Sequence, residues 1–183
     1  TVPDLLDHLR STFAPTSAAD YDTRFEEVRT VPVLILDDLG TESGTTWAQE
    51  KLFQIFNYRY NARLPTVITT NHDLEEITLR LRSRLVDPDL TRIVSITAPD
   101  FRRTGVAQDQ SDLSSLSLHA QQTFETFDLR KGELPREEEE NLKRALDLAR
   151  GFAEQPRDWL VFTGTYGWGK THLAGAIAKQ RPA

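Results

Sequence analysis

The sequence predicts an α/β fold of three layers built on a mainly parallel sheet, and three observations predict it. Apolar, strand-like runs at 31–36, 66–70, 92–97 and 159–163 are interleaved with segments patterned as helices. Such alternation implies strands joined by crossover helices that cover both faces of one sheet. The run at 31–36 is continuously apolar instead of alternating, as suits a strand buried on both faces. Finally, Gly164-Thr165-Tyr166-Gly167-Trp168-Gly169-Lys170-Thr171-His172 fits G-x-x-x-x-G-K-[ST], with a strand-like run before it and a helix-like run after it. That setting is the one a phosphate-binding loop requires.

In chain order, 4–13 reads as a short amphipathic helix, with Leu5, Leu6, Leu9 and Phe13 on one side. A second short helix is expected at 21–28. The strand at 31–36 ends in Asp37-Asp38. Residues 46–62 carry Leu52, Phe53, Ile55, Phe56 and Tyr60 at helical spacing, and Leu64-Pro65 stops that helix. A strand at 66–70 ends at Asn71, and an arginine-rich helix (Arg80, Arg82, Arg84) is expected over 74–85. After the strand at 92–97, the polar stretch 104–119 is the best linker. Pro135 and the glutamates behind it suit the start of a helix over 135–152, whose apolar stripe is Leu142, Ala145, Leu146 and Ala149.

Composition narrows the class. A chain of 183 residues, 38% hydrophobic and 27% charged, is expected to form one soluble domain. It has no eighteen-residue apolar run to span a membrane and no start resembling a signal peptide, so the expected location is cytoplasmic. The absence of cysteine excludes disulfides and thiolate metal sites. The absence of methionine suggests a processed, trimmed or engineered version. A net charge of −6 argues against a strongly basic nucleic-acid coat but leaves room for a local DNA-binding groove. His8, His72, His119 and His172 show no ligand spacing and are expected to be solvated or packed.

The motifs point to phosphoryl chemistry. Glycines let backbone N–H groups wrap phosphates, Lys170 reaches the β and γ phosphates of ATP, and the Thr171 hydroxyl ligates Mg²⁺. Val33-Leu34-Ile35-Leu36-Asp37-Asp38 has the form of a Walker B strand. Asp37 would hold Mg²⁺ and Asp38 would polarise the attacking water. Asn71 can orient that water, or can simply favour a turn after a strand. Arg80 and Arg84 are i,i+4 neighbours, either on a solvated face or projected as an arginine finger into a neighbour's nucleotide. Trp168 can point outward, stack on a base or fill a void.

Leu34 to Gly40, then Thr69-Thr70-Asn71, then the Arg80–Arg84 cluster resemble the AAA+ ATPases of the helicase-loader (DnaC/DnaI) and IstB transposition-helper group. Thr123-Phe124-Glu125-Thr126-Phe127-Asp128 is similar to the T-F-x-x-F-D segment of that group, and Val2 to Arg10 and Asn57 to Tyr60 are similar to two of its helices. The resemblance implies a P-loop NTPase with an AAA+ core that binds and hydrolyses Mg-ATP slowly, within an assembly. It makes Lys170 and Thr171 the Walker A pair, Asp37 and Asp38 the Walker B pair, Asn71 sensor 1, Arg84 the arginine finger with Arg80 its companion, and Arg102 a weaker sensor 2. Phe127 would lie near the adenine. Implied partners are a replicative helicase and single-stranded DNA, or a transposase in the IstB-like alternative. Self-association would use the Arg84 face. A nucleotide-binding module without turnover is the rival from another class.

Against that group the motif order is rotated. Within a single domain spanning 1–183, residues 1–103 carry the Walker B to sensor part, 104–119 the linker, and 120–183 the adenine-side segment and Walker A. No segment is left for the second core strand, roughly 5 to 6 residues plus a turn. A circular permutation, pieces of two modules, and a chain break each fit.

Overall fold

The computed structural model describes residues 1–11, 18–41, 44–97 and 121–180. Arg102, the linker-like stretch 104–119 and the chain's last three residues lie outside them. The described helices are α1 (Val2–Ser11), α2 (Ala18–Thr30), α3 (Thr46–Asn61), α4 (Leu79–Leu85), α5 (Arg136–Glu154) and α6 (Lys170–Gln180). The strands are β1 (Leu34–Leu39), β2 (Thr66–Thr70), β3 (Thr91–Ser95) and β4 (Trp159–Thr163).

All pairings are parallel, in the order β1-β2-β4-β3. The strands have helices on both faces, as the continuous apolar runs predict. Successive residues feed opposite layers. Val67, Leu160 and Phe162 pack with Leu142, Ala145, Leu146 and Ala149 of α5 and with Leu173 and Ile177 of α6. Ile68, Trp159 and Val161 pack with Val2 and Leu6 of α1, Leu52 and Phe56 of α3, and Leu81 and Leu85 of α4. Phe56 meets Trp159 edge-on at 5.3 Å. The fold is therefore α/β with a four-stranded parallel sheet, and among the described residues no strand lies beyond β1.

Several expected boundaries move. β1 starts at Leu34 and includes both aspartates, because its ladder to β2 continues past a bulge: Leu36 pairs with Ile68, and Leu39 with Thr70. The extra residue leaves Asp38 with φ +59, a left-handed conformation uncommon for a residue with a side chain. The helix expected over 74–85 is reduced to Leu79–Leu85, with turns before it. α6 begins at Lys170 itself, so the lysine sits in the first turn.

Arg59 occupies an unexpected place. It is fully buried on α3, and its guanidinium donates to the Thr66 hydroxyl (3.0 Å) and to the carbonyls of Arg29 (3.0 Å), Val31 (2.7 Å) and Pro65 (2.7 Å). Burial pulls its pKa down to about 10, so it stays charged at neutral pH. One side chain thereby ties the end of α2 to the starts of β1 and β2.

Candidate functional site: a phosphate-loop cleft

In a parallel sheet all strands deliver their carboxyl ends to one edge, where open α/β folds place their ligands. Here that edge collects β4's exit into residues 164–169, β1's aspartates and β2's Asn71. A cleft of about 290 Å³ is lined by Asp38, Asn71, Gln122 and residues 166–172. Residues near both ends of the chain thus share one cavity. A larger cleft of about 620 Å³ lies at the opposite edge, beside Leu90, Arg92 and Trp159, and contains none of the predicted site residues.

The loop's shape depends on missing side chains. Gly164, at φ +131, lies under the Ile96 carbonyl, which a Cβ would approach to 2.4 Å. Gly169, at φ +81, lies under the Phe127 ring, which a Cβ would approach to 2.7 Å. The Ile96 strand end is itself held by Asn141, which donates to the Ser95 carbonyl (2.8 Å) and accepts from the Thr97 N–H (3.1 Å). Gly164→Ala is expected to be strongly destabilising because a backbone carbonyl cannot swing aside. Gly151→Ala, in α5 with open space around it, is expected to gain about 0.5–1 kcal/mol. Opposite shifts of the two urea midpoints would check this contrast.

Lys170 is 4% exposed, and its Nζ donates to the Thr165 carbonyl at 2.6 Å, across the mouth of the loop. Thr171 lines the cleft beside it. Trp168 packs into the α5/α6 core layer, with its ring close to Gly164 and its indole N–H buried. The ring is half-buried: it packs on that layer and also lines the cleft. Tyr166 is the exposed rim of the loop.

On the other wall, Thr69 organises the acids. Its hydroxyl donates to Asp37 Oδ1 (2.6 Å) and accepts from the Asp38 N–H (3.0 Å). Asn71 Nδ2 donates to Asp38 Oδ1 at 3.0 Å. Burial, then the neighbouring Asp37 charge, raises the Asp38 pKa above the usual aspartate value, while the Asn71 hydrogen bond and Lys170 pull the other way. Asp38 faces the cleft. Asp37 is buried against Thr69 and does not line it.

The arginines are elsewhere. Arg84 lies over the Phe53 ring at 4.8 Å and donates to the Arg80 carbonyl (2.7 Å) and to Asn57 Oδ1 (2.6 Å). Arg80 is more exposed, over the same ring at 5.4 Å and 3.7 Å from Glu50. Neither lines the cleft. Phe127 backs the loop at Gly169 and stands outside the cleft lining as well.

The sequence does not announce Thr69 and Gln122 as contributors, and of His172 it gives only the place in the loop motif. Thr69 was part of the recognised strand end, but its tie to both aspartates depends on the β1–β2 register. Gln122 reaches the cleft and packs against Gly175. The His172 side chain reaches the Thr123 carbonyl at 2.8 Å. No local spacing announces these tertiary contacts.

A parallel sheet with a glycine-rich loop running into a buried lysine at a helix start, facing a strand-end aspartate, defines a P-loop NTPase-like core. Parts of the chain are similar to proteins of chromosome replication. The replicative helicase loader DnaI of Bacillus subtilis (strain 168) is 29% identical over 77 residues, 42% of this chain and 24% of that protein. The replicative helicase loader DnaC of Escherichia coli (strain K12) is 25% identical over 87 residues, 48% of this chain and 35% of that protein. The chromosomal replication initiator protein DnaA of Magnetococcus marinus is 30% identical over 103 residues, 54% of this chain and 22% of that protein. The chain thus spans between 22% and 35% of the length of these relatives. These partial similarities support a kinship with replication-related AAA+ proteins. No protein-family model matches the chain, and no solved structure matches it.

Proposed function

We propose that this protein binds Mg-ATP in the loop cleft and hydrolyses it, as a helicase-loader-like AAA+ factor of DNA replication. The observation that carries the reading is the single cleft joining Lys170 and Thr171 to Asp38 and Asn71. The residues fit the nucleotide. The buried Lys170 ammonium, held by a carbonyl at the start of α6, is a phosphate ligand in waiting, and Gly169 gives the loop the positive φ that turns it into that helix. Among the described residues no group of three or more His, Cys, Asp or Glu could cage a metal. Mg²⁺ bound with a nucleotide uses few protein ligands and takes the rest from phosphate and water. Here the Thr171 hydroxyl would be the ligand in the cleft, and Asp37, buried against Thr69 outside the cleft lining, would act on the ion only through intervening water.

ATP supplies the phosphoryl group and its ion neutralises the charge that develops on transfer. The chain's own residues divide the remaining work. Asn71 holds Asp38 Oδ1, so Asp38 Oδ2 is left to accept a proton from water, and its raised pKa suits a base. Arg80 and Arg84 would act in a neighbouring subunit through self-association on their face. Arg80's greater exposure suits contact across such an interface, while Arg84 would have to leave Asn57. The expected partners are a replicative helicase and single-stranded DNA, and the expected location is cytoplasmic. No described helix is long and apolar enough to cross a membrane. An IstB-like transposition helper working with a transposase is the alternative inside the group, and salt-dependent binding to single versus double strands separates the two.

Saturating Mg-ATP, at about 100 times its Kd, should stabilise the domain by about 2.7 kcal/mol, a rise in melting temperature of about 5–10 °C. Lys170→Ala should lose that shift. Wild-type protein that shows no shift in thermal unfolding would remove the nucleotide reading altogether. Shift without turnover, even with DNA and at concentrations favouring assembly, would leave a binding module.

A further inference from the structure

We propose that the His172 side chain is a positioning residue that fastens the segment 121–128 to the phosphate loop and so sets the geometry in which nucleotide is bound. The inference rests on the nucleotide reading above and concerns a side chain, whereas the motif accounts only for this residue's backbone.

The segment is first a rigid turn. The Thr123 N–H donates to Thr126 Oγ1 at 3.0 Å, and the Thr126 N–H donates to Thr123 Oγ1 at 3.3 Å, so the two threonines close it reciprocally. One end is anchored to α5. Phe124 is buried in the core layer, and Arg150 stands over its ring and donates to its carbonyl. The other end is tied to α6 by His172. Its Nε2 lies 2.8 Å from the Thr123 carbonyl and 3.2 Å from Thr126 Oγ1, and its ring meets Phe127 edge-on at 5.4 Å and 82°. A carbonyl only accepts, so the imidazole carries its proton on Nε2.

Two consequences reach the cleft. Phe127 is pressed onto Gly169, the residue before Lys170, at a distance that leaves no space for a Cβ. Gln122, just before the turn, is placed in the cleft lining. The tether therefore braces the last glycine of the loop from behind and adds one wall from the side. Without it, Phe127 loses the edge contact that holds it in register with Lys170, and the turn behind Gln122 loses its tie to α6.

His172→Ala should raise the Kd for Mg-ATP, read by titration calorimetry, on the order of 10- to 100-fold, the scale of a small misplacement outside the reacting groups. His172→Gln places an amide N–H where Nε2 was and should recover most of the affinity. Phe127→Ala should weaken binding too, and the double variant should be no worse than the weaker single, because the two share one effect. Amide hydrogen exchange at 123–128 should rise in His172→Ala with no ligand present. Additive effects, no recovery by Gln, or wild-type affinity in His172→Ala would overturn the proposal. Exchange reads the tether without ATP. Wild-type protein that fails to bind nucleotide therefore sinks the functional reading, whereas unchanged exchange in the variant sinks the tether.

Discussion

Asp38→Asn is expected to lower ATP turnover by about 10²–10⁴-fold, the contribution of a positioned general base, while leaving nucleotide binding in place. The same substitution should stabilise the nucleotide-free domain at neutral pH. Asp38 lies in a left-handed bulge residue whose carboxylate is partly desolvated, stands next to Asp37, and has its pKa raised by both. A raised carboxylate pKa means that the folded state takes up the proton more readily than the unfolded chain. The cost of the charge is therefore present in full above the folded pKa and disappears as pH falls to the unfolded value. The stabilisation by Asn should follow that window: present at pH 7 in metal-free buffer, fading in acid. The amide at position 38 can still accept from Asn71 Nδ2, so the hydrogen bond need not be lost. Denaturant unfolding at several pH values, with turnover assays beside it, tests both halves. A variant that loses activity and stability together would mean that Asp38 is structural. Activity lost for stability gained is the pattern of a site selected for chemistry.

Arg59→Met should be the most damaging single change away from the cleft, at about 4 kcal/mol and a melting temperature lower on the order of 10 °C. Methionine matches the length and apolar stem, so the loss is mainly in hydrogen bonds. Four bonds from a fully buried charged donor would vanish, and the partly buried carbonyls of Arg29 and Val31 would lose that donor, while the Pro65 carbonyl would keep the Leu34 N–H. Buried acceptors without donors cost more than the bonds were worth in net stability. Arg59→Lys should recover only part, since one ammonium cannot span acceptors arranged around a planar fork. A urea midpoint for Arg59→Met within error of wild type would mean that β1 and β2 find their register without it.

How much of this was legible beforehand differs by element. β2 and β4 fall where their apolar runs lie, since a central parallel strand is buried on both faces and its composition says so. α3 and α5 follow their stripes for the same kind of reason. The failures sit at ends. β1 extends past its apolar run into two aspartates, because ladder bonds to β2 and the Thr69 hydroxyl outweigh the polarity of those residues. The helix at 74–85 shrinks because Leu74 packs into the core from a turn, satisfying the apolar pattern without helical backbone. At the candidate site, the glycine-rich loop, Asp38 and Asn71, which share one cleft, could be singled out because each belongs to a local motif with its own chemistry. Gln122, Thr69 and the His172 tether were not, because each acts across a gap in sequence that only folding closes.

Residue type and order were enough to establish the α/β class and to single out a glycine-rich loop and the acidic and polar residues proposed to work with it, since these rest on backbone sterics, periodicity and short-range chemistry. They could not show that Lys170 and Asp38, more than 130 positions apart, face one cavity. They also could not show that Trp168 packs on the core layer while Asp38 turns toward the loop. Those outcomes belong to the tertiary structure. A parallel sheet brings distant strand ends to a common edge, and a one-residue bulge decides which of two adjacent carboxylates points into it.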